Sequence, residues 1–285
     1  MFYNIDYHIT DRCNRKCVSC GHFVPLVPKT VKNKSMEQIE TDLRALARFQ
    51  GLSLHITLTG GECTLHPNLR EILLLAIELF PDTEIRMVSN GTNPDKLIAL
   101  KDILDEHPNV VIIMTNYNSE NTDKVYSVYK DSGQIIVYGV EDLDNKTSYK
   151  RENFHRAFFC EEPCTSIVDA TKCHQITECA QLVDKKIYAC QYLAHFHYFK
   201  DYFGDQIKIP LNGDEGIELD KCSSNEEIEN YVYNHIQEMC FHCLDALRKF
   251  GKYENLQPLT DTKYELDEWY IKSINNEEKK DDNGE

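Results

Sequence analysis

Three cysteines lie close together near the start of the chain, in the segment Cys13–Cys20, which reads CNRKCVSC. Their spacing is C-x3-C-x2-C, and they directly follow an apolar segment. Three thiolates can hold three irons of a [4Fe–4S] cluster and leave the fourth iron open to a small-molecule ligand. A zinc knuckle is the alternative interpretation of this loop, because zinc also binds groups of cysteines.

Two further polar segments follow apolar runs. Gly60-Gly61-Glu62 ends the next run, where adjacent glycines let the backbone approach a ligand closely and the glutamate offers a carboxylate to an amine. Ser89-Asn90-Gly91 ends the run after that, and its alternative interpretation is an ordinary turn. Cys63, which follows the glutamate, is interpreted as a small buried residue.

The cysteine loop and the Gly-Gly-Glu segment together resemble those of radical S-adenosylmethionine (SAM) enzymes. The resemblance implies that a SAM-binding [4Fe–4S] cluster is held by Cys13, Cys17 and Cys20. It implies that SAM is contacted by Gly60, Gly61, Glu62, Ser89 and Asn90. It further implies reductive cleavage of SAM to a 5′-deoxyadenosyl radical, which takes a hydrogen atom from the substrate, and an electron donor such as flavodoxin or ferredoxin.

Composition excludes several function classes. The chain has 285 residues, 12 cysteines and a formal net charge of −16. No apolar run is long enough to span a bilayer, and Met1–Asp6 lacks the features of a signal peptide. We therefore expect a soluble, cytoplasmic protein whose cysteines bind metal instead of forming disulfides. A surface this acidic disfavours nucleic acids and anionic membranes as partners.

Alternating strand and helix patterns position these motifs. Strands are predicted at Tyr3–Thr10, Leu52–Leu58, Glu84–Ser89, Val110–Thr115 and Gln134–Tyr138. Helices are predicted from Ser35, from Pro67, over Pro94–Glu106 and over Asp123–Lys130. The pattern predicts an α/β fold, a partial (β/α) barrel of about five or six parallel strands. Chemistry in such barrels sits at the C-terminal ends of the strands, where all three motifs fall.

A cysteine-rich region follows from about residue 150. Cys179 and Cys190 flank a predicted hairpin with its turn at Asp184-Lys185, and a helix is predicted from near residue 225 to the segment Cys240–Cys243. The region resembles the twitch domain, the shorter relative of the SPASM domain of radical SAM enzymes. The resemblance implies an auxiliary [4Fe–4S] cluster on Cys179, Cys190, Cys240 and Cys243. Structural zinc is the alternative here.

The resemblance and the composition together predict three segments. The radical SAM core occupies residues 1–150 and the twitch/SPASM-like domain residues 151–255. An extension follows at 256–285, and its charged end, Asn275–Glu285, is expected to be disordered. The twitch family has glycine where this chain has Lys185, so a different turn geometry is expected there.

An auxiliary cluster that accepts an electron favours oxidation (dehydrogenation) of a sugar, an aminoglycoside-like molecule or another small polar substrate. One alternative is an epimerase, with Cys222 as the hydrogen donor. Another is a peptide-modifying enzyme, although the chain leaves little room for the leader-binding domain that such enzymes often carry. A non-catalytic iron–sulfur or zinc protein is a remote alternative. Tyr188, His195 and His197 lie close enough to Cys190 to reach the pocket, but they are interpreted as packing or surface residues.

Overall fold

The computed structural model describes residues 1–18, 20–31, 33–138, 158–209, 215–234, 236–244 and 261–273, together with the backbone of residues 148–149. Both predicted segment boundaries, near residues 150 and 255, and the end Asn275–Glu285 lie outside the described residues. Within the described part of the chain, no helix combines the length and the apolar character needed to cross a membrane.

The strands and helices of the described residues alternate through the first half of the chain. The strands are β1 (Phe2–Thr10), β2 (Ser53–Gly60), β3 (Glu84–Ser89), β4 (Val110–Thr115), β5 (Ile135–Tyr138), β6 (Ser148–Tyr149), β7 (Phe159–Cys160), β8 (Ala180–Val183), β9 (Lys186–Tyr188), β10 (Gly216–Glu218) and β11 (Tyr270–Ile271). The α-helices are α1 (Met36–Ala47), α2 (Leu69–Leu79), α3 (Pro94–Ile98), α4 (Lys101–Glu106), α5 (Ser119–Tyr129), α6 (Ile167–Thr171), α7 (His174–Glu178), α8 (Gln191–Phe203) and α9 (Asn225–Asn234).

One nine-stranded sheet organises the fold, in the order β10-β9-β8-β1-β2-β3-β4-β5-β6. Strands β1 to β6 are parallel, and each pairs with the next along the chain. The predicted α/β fold with five or six parallel strands is therefore confirmed. The predicted bounds of β3 and β4 match those observed. Strand β4 is buried along its whole length, as expected for a strand covered on both faces.

Three helix predictions need correction. The helix expected over Pro94–Glu106 is two helices, α3 and α4, broken at Ala99-Leu100. The helix α5 begins at Ser119, four residues before the predicted start, because the Asn118 side chain caps it by accepting a hydrogen bond from the Asn121 N–H. The helix expected to reach Cys240 ends at Asn234, and a separate 3-10 helix, Glu238–His242, carries the cysteine.

The C-terminal hairpin extends the barrel sheet at its β1 edge. Strand β8 pairs in parallel with β1, with Ile5 opposite Ala180 and Tyr7 opposite Leu182, and β9 returns antiparallel to β8. The turn residues Asp184 and Lys185 have φ values of 47° and 60°. Both lie in the left-handed region of a type I′ turn, so the expectation of a different geometry for the lysine is wrong.

The hairpin turn is anchored by a buried carboxylate. The Asp42 side chain on α1 is fully buried and accepts hydrogen bonds from the Lys185 N–H (3.0 Å) and the Tyr7 hydroxyl (2.9 Å). These bonds connect α1, β1 and the turn. They satisfy a carboxylate that is costly to bury without partners.

Helix α8 follows the hairpin and packs against its strands β8 and β9. Its aromatic face, with Phe196 and Phe199, packs around Phe23, whose side chain is completely buried. Phe159 on β7 joins the same cluster, with its ring centroid 6.0 Å from that of Phe23. This packing places α8 beside the segment that follows the N-terminal cysteines.

Candidate active site

A pocket of about 190 Å³ opens at the C-terminal ends of β1 to β4. Its lining includes Cys13, Cys17 and Cys20, the glycines Gly60 and Gly61 at the end of β2, Ser89 and Asn90 after β3, and Thr115 and Tyr117 after β4. The structure thus brings together the three N-terminal cysteines and four of the five residues predicted to contact SAM. Cys20 and Cys17 are close enough to Cys13 to contribute to the raised pKa of its thiol, as expected of residues that share one cluster.

Backbone contacts fasten the Gly-Gly-Glu segment to the start of the cysteine loop. The Gly61 N–H donates to the Thr10 carbonyl and the Glu62 N–H to the Arg12 carbonyl, both at 2.9 Å. A Cβ atom at Gly60 would lie 2.0 Å from the Thr10 oxygen, and one at Gly61 would lie 2.2 Å from the Arg12 oxygen. Only glycine permits this approach, so both glycines help to position the loop.

The Glu62 carboxylate faces the protein interior, with only 1% of the residue exposed. Its Oε1 accepts hydrogen bonds from the Thr64 N–H (3.1 Å), the Thr64 hydroxyl (2.6 Å) and the Ser89 hydroxyl (2.8 Å), and its Oε2 accepts one from the Asn90 N–H (2.7 Å). The expected contact between this carboxylate and the amine of SAM stays a prediction. Glu62 orders the segment that lines the pocket.

Cys13 has two N–H groups directed at its sulfur. The Arg15 backbone N–H lies 3.4 Å from the Cys13 Sγ, and the Asn90 Nδ2 lies 3.8 Å from it. Burial, together with the nearby Cys20, Glu62 and Cys17, raises the pKa of Cys13 to about 12, against the lowering effect of the Arg15 N–H. A metal must therefore displace the thiol proton on binding, and the N–H groups then stabilise the thiolate.

Arg15 and Tyr117 form part of the pocket wall. The guanidinium carbon lies 3.8 Å from the centre of the Tyr117 ring, within cation–π distance. Asn14 donates to the Thr92 hydroxyl (2.6 Å) and accepts from the Asn90 Nδ2 (2.9 Å), so the cysteine loop and the β3 segment are joined by side chains as well. The arginine gives the wall a positive charge in a strongly acidic protein.

The C-terminal cysteines form a second group. Burial, and then the neighbouring Cys240 and Cys173, raise the pKa of Cys190 well above its ordinary value. Cys243 directly follows the 3-10 helix that contains Cys240. Cys173 was not among the predicted ligands, and no spacing rule singled it out. Cys179, the predicted ligand, directly follows α7, and its carbonyl accepts a hydrogen bond from the Gln181 Nε2 (3.1 Å).

Cys222 is not among the residues that line the pocket, and its expected role as a hydrogen donor stays a prediction. Its Sγ contacts the Glu218 carbonyl at 3.3 Å. The neighbouring Asp220 pairs with Arg48 at the end of α1 (3.2 Å), and Asn225 donates to the Gln50 carbonyl (3.0 Å). Arg48 and Gln50 precede β2, so they lie near the N-terminal ends of the parallel strands. The cysteine loop follows the C-terminal end of β1. Cys63 is completely buried, as the sequence predicted.

Comparison with known proteins identifies the family. The sequence profile described as "Radical SAM superfamily" matches residues 7–156. The chain belongs to the radical SAM superfamily. Members of this superfamily use a [4Fe–4S] cluster and SAM, so the predictions of a radical SAM enzyme and of these cofactors are confirmed. In this chain, the family's barrel is followed by a cysteine-rich region.

Individual relatives are more distant. One relative is the antilisterial bacteriocin subtilosin biosynthesis protein AlbA of Bacillus subtilis (strain 168). It is 28% identical to this chain over 117 residues. These residues are 41% of this chain and 24% of AlbA. The match thus spans about a quarter of AlbA. The structure of BtrN with AdoMet and 2-DOIA is similar with a TM-score of 0.49 and 14% identity, over 93% of this chain and 98% of BtrN. Streptococcus suis SuiB bound to its precursor peptide SuiA gives a TM-score of 0.44 and 11% identity, over 96% and 75%.

Proposed function

We propose that this enzyme oxidises a carbon–oxygen or carbon–nitrogen centre of a small polar substrate, such as a sugar or an aminoglycoside-like molecule. The single observation that carries the radical chemistry is that Cys13, Cys17 and Cys20 line one pocket together with Gly60, Gly61, Ser89 and Asn90. When bound there, the cluster and SAM supply an electron and a 5′-deoxyadenosyl radical that abstracts hydrogen. The residues of the chain bind, orient and shield these groups.

The pocket residues have distinct tasks in this proposal. Cys13, Cys17 and Cys20 hold the cluster, and the backbone of Gly60 and Gly61 lets SAM approach the end of β2. Asn90 donates to the Cys13 sulfur while its own backbone is held by Glu62. Arg15, on the pocket wall, attracts a carboxylate of SAM or substrate.

The C-terminal cysteines support oxidation over a redox-neutral reaction. Cys190, Cys240 and Cys243, with Cys173 or Cys179 as the fourth ligand, suit an auxiliary [4Fe–4S] cluster, which would supply a one-electron acceptor. For a secondary alcohol, the overall change converts SAM and the alcohol to methionine, 5′-deoxyadenosine, the corresponding ketone and a proton. One electron enters to cleave SAM and one leaves the substrate, so the donor is not consumed over a turnover.

Peptide modification is the second candidate function. It is favoured by the 28% identity with AlbA over 117 residues, because AlbA serves in the making of a peptide, the bacteriocin subtilosin. The epimerase alternative is less favoured, because Cys222, its proposed donor, is not among the residues that line the pocket. A substrate deuterated at the reacting carbon separates oxidation from epimerisation. Both reactions transfer the deuterium to 5′-deoxyadenosine. Oxidation then gives a product that has lost one deuterium and one hydrogen, whereas epimerisation gives a product in which a solvent-derived hydrogen has replaced the deuterium.

The first experiment is anaerobic reconstitution with iron and sulfide, followed by dithionite and SAM. We expect about eight irons per chain and formation of 5′-deoxyadenosine. Cys17→Ala should lose about four irons and all SAM cleavage, whereas Cys190→Ala should lose about four irons and retain SAM cleavage. Failure of the wild-type protein to form 5′-deoxyadenosine with full iron content would contradict the proposal.

The same iron count assigns the fourth auxiliary ligand. Cys173→Ala and Cys179→Ala are compared, with Cys222→Ala as a control because that thiol is buried outside both cysteine groups. The true ligand should behave like Cys190→Ala. If neither variant loses iron, the second site does not hold a four-cysteine cluster.

A further inference from the structure

Three histidines from distant parts of the chain meet beside the candidate active site. His8 is on β1, His22 follows the cysteine loop and His195 is on α8. One ring nitrogen of each lies within 4.8 Å of the others, a spacing open to a metal ion. His8 and His195 are 2% and 3% exposed, and their rings stack with centroids 3.9 Å apart. His22 also lines the pocket, so the cluster adjoins it.

The carboxylate of Asp11 contacts His8 at the ring nitrogen that does not face His22. The His8 Nδ1 lies 2.8 Å from the Asp11 Oδ1, and the Asp11 Oδ2 accepts a hydrogen bond from the Tyr198 hydroxyl at 2.7 Å. When Nδ1 donates to the carboxylate, the His8 Nε2 presents its lone pair to the cluster. Metal-ligating histidines usually have such a partner, because it fixes the tautomer and the ring orientation.

One nitrogen in this group is unsatisfied. The Nε2 of His195 is buried, and it makes no hydrogen bond to any residue in the described part of the chain. A buried polar atom without a partner is costly and points to a bound ion or water. The His8 Nε2 and the His22 Nδ1 face each other at 2.5 Å. The three histidines therefore offer two facing ring nitrogens and a third, unsatisfied one, and two of the three side chains are buried.

We propose that His8, His22 and His195 bind a divalent transition metal ion, zinc(II) or iron(II), at a site separate from both cysteine groups. Imidazole nitrogens suit these metals, and three histidines leave a fourth position for water or a substrate oxygen. Tetrahedral zinc sets its ligand nitrogens about 3.3 Å apart, so His8 and His22 need to separate by less than about 1 Å. This proposal does not depend on which reaction the enzyme performs.

Zinc itself is the probe for the test. The full chain is reconstituted with its iron–sulfur clusters, dialysed against buffered zinc and analysed for zinc per chain. One zinc is expected in the wild-type protein and is expected to be lost in His195→Gln. His197→Gln is the matched control, because His197 is on the same helix but exposed. Equal zinc in the wild type and His195→Gln would overturn the proposal.

X-ray absorption at the zinc edge identifies the ligands directly. A nitrogen shell at about 2.0–2.1 Å supports the histidine site, whereas a sulfur shell at about 2.3 Å means that zinc binds cysteines instead and overturns it. If His195→Gln does not fold, Asp11→Asn decides the question. Loss of an outer partner of this kind should weaken zinc binding about 10- to 100-fold, and unchanged affinity would contradict the proposal. These readouts are independent of 5′-deoxyadenosine formation, which tests the proposed function.

Discussion

The carboxylate of Glu62 and the backbone N–H of Asn90 are 2.7 Å apart, and this hydrogen bond joins the end of β2 to the end of β3. The Ser89 hydroxyl donates to the same carboxylate at 2.8 Å. The glutamate of the Gly-Gly-Glu segment thereby shapes the pocket from behind.

Glu62→Gln is expected to weaken both SAM binding and the stability of the SAM-free protein. The glutamine NH2 group would face a hydrogen-bond donor, at a cost of about 1–3 kcal/mol. If this cost is paid in the SAM-bound protein, the affinity for SAM should fall by roughly 5- to 150-fold. Titration with SAM and urea denaturation measure the two effects. Glu78→Gln, on the exposed face of α2, is the control. Weaker SAM binding with unchanged stability would instead indicate direct contact with the ligand.

Gly61→Ala is expected to displace the cysteine loop. Its Cβ would lie 2.2 Å from the Arg12 carbonyl oxygen, so the backbone must move. We expect a loss of about 1–3 kcal/mol or more in unfolding free energy, together with reduced iron incorporation. Gly133→Ala is the control for a glycine-to-alanine change that creates no clash. Gly133 has a φ of +71°, and nothing lies within 4 Å of the added carbon. That variant should lose about 1–2 kcal/mol and keep its iron; full iron content in both would contradict the prediction.

Lys185→Gly is expected to stabilise the protein by about 0.5–1 kcal/mol. Lys185 has a φ of 60°, a conformation that glycine adopts without strain. The lost ion pair with Asp220 is exposed and contributes little. Urea denaturation measures the change. Lys186→Gly is the control and should destabilise, because Lys186 is paired with Val183 in the hairpin and glycine loses more conformational freedom than lysine when it is fixed in a strand. A lower midpoint for Lys185→Gly would show that the turn carries no strain.

His55 is expected to make stability fall as the pH falls below about 6.5. Burial, and then the Arg86 guanidinium, lower the pKa of His55 to about 4 in the folded protein. Between about pH 6.5 and pH 4, the unfolded chain therefore binds a proton at His55 that the folded protein does not. The free energy of unfolding is unaffected by His55 above this range and decreases as the pH falls through it. The loss reaches up to about 3 kcal/mol. Urea denaturation at several pH values in this range measures the free energy of unfolding. That free energy should depend less steeply on pH in His55→Gln than in the wild type, and an equal dependence would exclude the effect.

Sequence patterns predicted the elements whose pattern was local. Strands β3 and β4 were predicted to the residue, because their ends coincide with turn residues and with changes in apolar content. The start of α5 was placed too late, because the Asn118 cap lies before the apolar positions begin. The end of α9 was placed too late, because no residue before Cys240 marks a stop in the pattern.

The sequence predicted which residues belong to the candidate site better than it predicted how their side chains are arranged. The cysteine loop and Gly-Gly-Glu are contiguous motifs, so residue type and order sufficed to find them. The inward direction of Glu62 depends on Thr64, Ser89 and Asn90 together, and a motif does not encode direction. The histidine cluster has no sequence signature, because His195 reaches His8 only through the packing of α8.

The parallel pairing of β8 with β1 has a consequence for synthesis of the chain. Gln181 on β8 donates to Asp6 on β1 across 175 residues of sequence. At the usual rate of about 5–20 residues per second, roughly 9–35 s pass between the emergence of the two segments from the ribosome. During that interval the outer edge of Ile5–Tyr7 has no strand to pair with, and open strand edges attract other chains. The growing chain thus carries an aggregation-prone edge until its C-terminal half arrives.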